Sequence, residues 1–251
     1  MVDTRVATVG TLDSGTIGGI EIAGLHEAAE TPNSENTMIV VIYGSNQFPG
    51  DKEAGFELLV DKLRKNYKEV WAFSPGENPS ALWRGVTPSN ALEKIKESIE
   101  ARVATNLNIK NIVLIGYSWG GGAVHEIAEW IANGDGPKLE IASSVYVDAI
   151  ANPESDVANS WEGTSFQPES RLPPGTRSML NLYQSRAPTI YSDLFLKLHG
   201  TWIENPGIKD IVQKNFDIDQ DSQTHSTIDE ASVIDILKFI QLRVLINQNV
   251  D

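Results

Sequence analysis

The chain contains no cysteine in 251 residues. That excludes disulfides, thiolate metal sites and a cysteine nucleophile, and it fits any redox compartment. Basic residues are scarce: 20 Lys and Arg stand against 34 Asp and Glu, a formal net charge of −14. A field of that sign repels phosphate backbones and anionic lipid surfaces, so nucleic acid is not an expected partner. Polyanionic small molecules are disfavoured less strongly, because a local basic patch overrides a global field. No apolar run approaches the ~20 residues a membrane-spanning helix requires. The first residues, MVDTRVATVG, lack a basic region followed by an apolar core, so no signal peptide is expected and a cytoplasmic address is slightly favoured. Oligomeric state leaves no trace in the sequence.

What remains is an ordinary globular composition, 41% hydrophobic and 22% charged. One α/β domain accounts for the whole length, with a core large enough to need no staples. Residues 15–27 partly alternate and read as one or two edge strands. TMIVVIYG (37–44) is a continuous apolar run, as a strand buried on both faces requires. A helix follows with Phe56, Leu59 and Leu63 on one face, then a strand at 69–75. Thr87-Pro88 reads as a helix start, with Leu92, Ile95, Ile99 and Val103 as the buried stripe. Further strands are expected at 111–117, 139–150, 178–185 and 210–218. Thr227-Ile228-Asp229-Glu230 has the form of a capping box. It opens a final helix carrying Val233, Ile236, Leu237, Ile240 and Val244. Strand and helix alternate over 37–150, which demands crossover connections and a mainly parallel, doubly wound sheet with helices on both faces. Residues 152–176 form the longest irregular stretch, the length of a lid or binding loop.

The densest chemistry lies in NIVLIGYSWGGGAVHEIAEWI (111–131). A buried strand runs into glycines, and an amphipathic helix leaves them. Gly116-x-Ser118-x-Gly120 in that strand-turn-helix setting resembles the nucleophile elbow of the α/β-hydrolase superfamily. The turn lifts the serine Oγ clear of the sheet edge and forces an unfavourable backbone conformation on it. It also brings the residues two before and two after against neighbouring elements, where only glycine fits. Gly121 and Gly122 let the helix start pack beneath the turn.

The resemblance extends in element order over about residues 37–247 and implies a triad in the order Ser, Asp or Glu, His. Four histidines are present: His26, His125, His199 and His225. His125 lies in the helix after the elbow and reads as a surface or packing residue. His225, between the last strand and the last helix, occupies the superfamily's place for the base. His199 is the second choice. Asp148, at the end of the strand after the nucleophile helix, is the expected acid, as in pancreatic-type lipases, although most of the superfamily carries it one strand later. A strand-end cap is the competing role for Asp148, and Asp193 is the alternative acid. The oxyanion hole would use the backbone amides of Trp119 and of Ser45, with Asn46 as the alternative to Ser45. Tyr43-Gly44 stands where many members have His-Gly.

The implied chemistry is hydrolysis of a small-molecule ester or acyl substrate through an acyl-enzyme on Ser118, with no cofactor and no metal. Thioesterase, amidase and acyltransferase reactions use the same groups. A hydrolase-fold protein that binds a ligand or partner without turnover is the alternative of another class. Trp161, Phe166 and Trp202 flank the expected site, either on a lid suited to an apolar substrate or packing that lid down. Asp217-x-Asp219-x-Asp221 resembles a calcium loop, but Ser222 and Ile228 stand where glycine and glutamate are required, so it reads as a solvated acidic turn. GTIGG near residue 15 lacks the Gly-Lys-Ser/Thr of a phosphate loop.

Overall fold

The computed structural model describes residues 32–44, 47, 50, 55–74, 91–151, 168–184, 200–204, 207–208, 210–216 and 227–244. The expected edge strands at 15–27, the Thr87-Pro88 helix start, the 152–167 part of the irregular stretch and the Asp217–Asp221 turn lie outside them.

Six strands lie among the described residues: β1 Thr37–Ile42, β2 Glu69–Phe73, β3 Asn111–Tyr117, β4 Glu140–Val147, β5 Ser178–Tyr183 and β6 Asp210–Asn215. They form one sheet in the order β2-β1-β3-β4-β5-β6, and every pairing is parallel. Five helices lie among the described residues: α1 Gly55–Arg64, α2 Ala91–Thr105, α3 Trp119–Ala132, α4 Ile228–Ala231 and α5 Val233–Gln241. This is the fold class that the alternation of elements implied.

Side chains alternate across a strand with a period of two, and here both sets are apolar. Ile39, Val41, Val113 and Ile115 face α1, through Phe56, Leu59 and Leu63, and the C-terminal helices, through Val233, Ile236 and Ile240. Met38, Val40, Ile112 and Leu114 face α2, through Ile95 and Ile99, and α3, through Val124, Ile127 and Ile131. The sheet is therefore covered on both sides, and all six residues of β1 are buried. At roughly 1.5–3 kcal/mol for each large apolar side chain removed from water, this double burial fixes the sheet.

The C-terminal end departs from the expectation. The helix from Thr227 is two helices, broken at Ser232, and the Thr227 side chain makes no capping hydrogen bond. The Ser232 hydroxyl instead bonds back to the Asp229 carbonyl at 2.9 Å, and the Asp229 carboxylate is turned to another element.

Connection handedness locates the functional end. From β1 the chain moves outward to β2, while from β3 it moves the other way to β4, β5 and β6. The helices after β1 and β3 must then lie on opposite faces. A crevice opens between the carboxyl ends of β1 and β3, the place where open parallel sheets bind ligands. No helix among the described residues is long and apolar enough to cross a membrane.

Candidate active site

Ser118 stands at the carboxyl end of β3, in that crevice. Its backbone has φ 53° and ψ −123°, outside the small left-handed region open to non-glycine residues. Such a conformation costs on the order of 1–3 kcal/mol and persists only where the surroundings over-determine it. Here they do. The Ser118 N–H donates to the Val147 carbonyl at 2.9 Å, and its own carbonyl accepts from Gly121 and Ile150, each at 2.9 Å. The elbow is thus stitched to the tip of β4 on both sides of Asp148.

The glycines answer to contact, as the spacing implied. A Cβ on Gly116 would lie 2.2 Å from the Gly120 carbonyl oxygen, and one on Gly120 would lie 2.3 Å from the carbonyl oxygen of Ile42. Neither backbone oxygen can step aside. A Cβ on Gly121 would meet the Ala149 Cβ at 2.2 Å, so α3 starts directly against the β4 tip. Gly122 donates to the Ile150 carbonyl at 3.1 Å. Trp119, the expected oxyanion donor, is buried as the first residue of α3.

Asp148 is fully buried and has φ 46°. Among the described residues, it and Ser118 are the two non-glycine residues with positive φ. Burial of a carboxylate demands donors, and three N–H groups converge on it. Oδ1 accepts the Gln184 amide at 3.2 Å and the Gly200 amide in a short bond, and Oδ2 accepts Gln184 Nε2 at 2.8 Å. The Asp148 N–H donates to the Leu182 carbonyl at 2.7 Å. Two of these contacts were not legible beforehand. Gln184 directly follows β5, where a carboxylate would stand, and it serves instead as a clamp on Asp148. Gly200 is required because a Cβ there would lie 2.8 Å from the Tyr183 Cβ and 3.0 Å from Asp148 Oδ1.

Tyr117, immediately before the serine, packs on Phe56. Burial raises its phenol well above the ordinary tyrosine range, and the charges of Asp229 and Asp148 add to the shift. It stays a neutral hydroxyl at every physiological pH. Gly44, at the end of β1, passes so near that a Cβ would lie 2.6 Å from the Tyr117 ring and 3.1 Å from the Ser118 Cβ. The end of β1, which opens the expected oxyanion loop, therefore lies against Ser118.

The other candidates divide. Ser45, Asn46, Asp193, His199 and His225 lie outside the described residues. Gly200, the neighbour of His199, touches Asp148. Asp229, which follows His225 in the same connection, acts on Tyr117 beside the serine. His125 is buried within α3, and its Nδ1 is buried without a partner among the described residues. Burial lowers its pKa first, with Glu169 acting in the opposite sense, so the ring is held neutral. Of the expected lid, residues 168–176 lie against the body. Pro168 bridges Ile150, the Glu169 amide donates to Ala149 at 2.9 Å, and the buried Glu169 carboxylate is held by the Arg171 guanidinium. Trp202 is exposed, while Trp161 and Phe166 lie outside the described residues. Among the described residues no group of three His, Asp or Glu could hold a metal ion.

No protein-family model matches the chain, and no curated protein matches its sequence. Solved structures do resemble it. ClbQ from the colibactin NRPS/PKS pathway is 9% identical with a TM-score of 0.45, covering 82% of this chain and 98% of its own. The RedJ thioesterase of prodiginine biosynthesis in Streptomyces coelicolor is 13% identical with a TM-score of 0.38, covering 87% and 94%. A Xanthomonas campestris protein ascribed to the α/β hydrolase superfamily is 7% identical with a TM-score of 0.39, covering 80% and 98%. The chain is thus similar in structure, at low sequence identity, to α/β-hydrolase superfamily proteins, thioesterases included.

Proposed function

We propose that this protein is a serine hydrolase that cleaves a carboxylic ester through an acyl-enzyme on Ser118. The observation that carries the reading is the paired backbone strain at Ser118 and Asp148, on adjacent strand tips tied together by hydrogen bonds. Strain held at two polar residues in a switch-point crevice is the mark of a site, not of a scaffold. In this reading His225 takes the Ser118 proton as the hydroxyl attacks the acyl carbon. Asp148 orients the imidazole and stabilises its charged form. The amides of Trp119 and Ser45 stabilise the oxyanion. The alcohol departs with the proton from His225. Water, deprotonated by the same base, then releases the acid. The substrate is a small ester or acyl compound, and the groups named complete the cycle without a cofactor.

One observation favours a second reading of the base. Gly200, the next residue in sequence after His199, donates to Asp148, and in this second reading His199 takes the role of His225.

The test is fluorophosphonate labelling of the folded protein, with the adduct located by peptide mass spectrometry. A stoichiometric adduct on Ser118, slowed at least ~10³-fold by His225→Ala and not by His199→Ala, is expected. The opposite pattern transfers the base to His199. No adduct on folded wild-type protein overturns the hydrolase reading in favour of a non-catalytic binding protein.

A further inference from the structure

The loop that leaves β1 beside the nucleophile is held from across the molecule. At its start, Gly44 lies against Tyr117 and Ser118 with no room for a side chain. At its far side, the Gln47 amide closes a turn onto the Gly44 carbonyl at 3.3 Å. The Gln47 carbonyl accepts the Ser74 hydroxyl at 3.0 Å, just past β2. The Gln47 side chain donates from Nε2 to Asp229 Oδ2 at 2.7 Å. That same oxygen accepts the Gly55 amide, the first of α1, at 3.1 Å.

Asp229 is 3% exposed. A buried carboxylate accepts only, so the Gln47 amide must present its NH2. Its own Oε1 is buried with no partner among the described residues. The charge-assisted bond to a buried carboxylate is the strong one here, and it fixes the Gln47 side chain. Gly55 explains why α4 comes so close: a Cβ there would lie 2.4 Å from the Glu230 amide nitrogen. Asp229 therefore sits where three segments meet: the loop after β1, the start of α1, and the start of α4.

We infer that Asp229 is a positioning residue: through its bond to Gln47, and the Gln47 turn bond to Gly44, it anchors both ends of the connection that would supply the oxyanion amide beside Ser118. This rests on the hydrolase reading above. It does not depend on which histidine is the base, because the bonds named above run between Gly44, Gln47, Gly55, Ser74 and Asp229. Oxyanion stabilisation depends on donors fixed before charge develops, so a loop released by losing Asp229 binds substrate as before and stabilises the transition state less.

The test compares wild type, Asp229→Ala, Asp229→Asn and Gln47→Leu by fluorophosphonate labelling rate and by kcat and KM on p-nitrophenyl acetate. Asn can place its carbonyl oxygen where Oδ2 accepts both bonds, so it should stay within about threefold of wild type. Asp229→Ala and Gln47→Leu should lower kcat and the labelling rate roughly 10- to 100-fold, below the loss of a direct donor, with KM within about twofold. Gln47→Leu leaves the Asp229–Gly55 bond intact and keeps the test valid if Asp229→Ala does not fold. Labelling of wild type on Ser118 with Gln47→Leu equally fast overturns this inference alone. A rise in KM with kcat unchanged, or a slow Asp229→Asn, also overturns it. No labelling of wild type overturns the inference together with the hydrolase reading.

Discussion

Ser118 and Asp148 stand in strained backbone, and Asp148 shows what such a residue must satisfy at once. Its carboxylate receives three N–H donors, so it is a structural cap whatever else it does. The two roles separate under Asp148→Asn. The new NH2 group turns a donor toward a donor, which costs about 2–3 kcal/mol of stability, measurable by urea unfolding. If Asp148 also orients the base, labelling of Ser118 falls by about 10⁴-fold, as the wrong imidazole tautomer is favoured. Stability lost with labelling unchanged would leave Asp148 as a cap and move the acid to Asp193. The need for glycine at positions 116 and 120 was legible in the sequence because an elbow permits nothing larger there. Gln184 and Gly200 were not legible. Their part depends on β5 and the segment at residue 200 folding back onto β4, and no local pattern encodes that.

At the scale of elements, the contact between α3 and the β4 tip decides how rigid the elbow is. Gly121 and Ala149 touch so closely that one methyl more cannot be accommodated. Gly121→Ala should destabilise the protein by about 2 kcal/mol through overpacking and slow labelling of Ser118. Adding Ala149→Gly removes the opposing methyl and should recover at least half of the loss. A double-mutant cycle by thermal unfolding measures the coupling. Strictly additive effects would show that the two residues do not meet. The strands were readable because both of their faces are apolar. The helix after Thr227 was misread for a reason of the same scale. Thr227 and Glu230 have the spacing of a box, yet the Thr227 side chain makes no capping bond, and Asp229 between them turns its carboxylate to Gln47 and the Gly55 amide.

For the molecule as a whole, the −14 charge opposes compactness. Raising NaCl from about 20 mM to about 500 mM shortens the Debye length from roughly 20 Å to under 5 Å. The melting temperature should therefore rise by a few degrees, read by differential scanning fluorimetry. A fall would mean that ion pairs such as Lys214–Asp235 and Arg243–Asp210 outweigh the repulsion. The sequence by itself determined the order and type of the described elements as far as β6, the doubly wound parallel sheet, and the serine turn. Each of these follows from local steric limits and from apolar period, which act between near neighbours along the chain. Only the tertiary structure decided that the crevice between β1 and β3 places Gly44 against Ser118, that Gln184 and Gly200 hold Asp148, and that Asp229 reaches Gln47. Those contacts join residues far apart in sequence, and the bonds a buried carboxylate takes are chosen by whatever donors the packed core brings within reach.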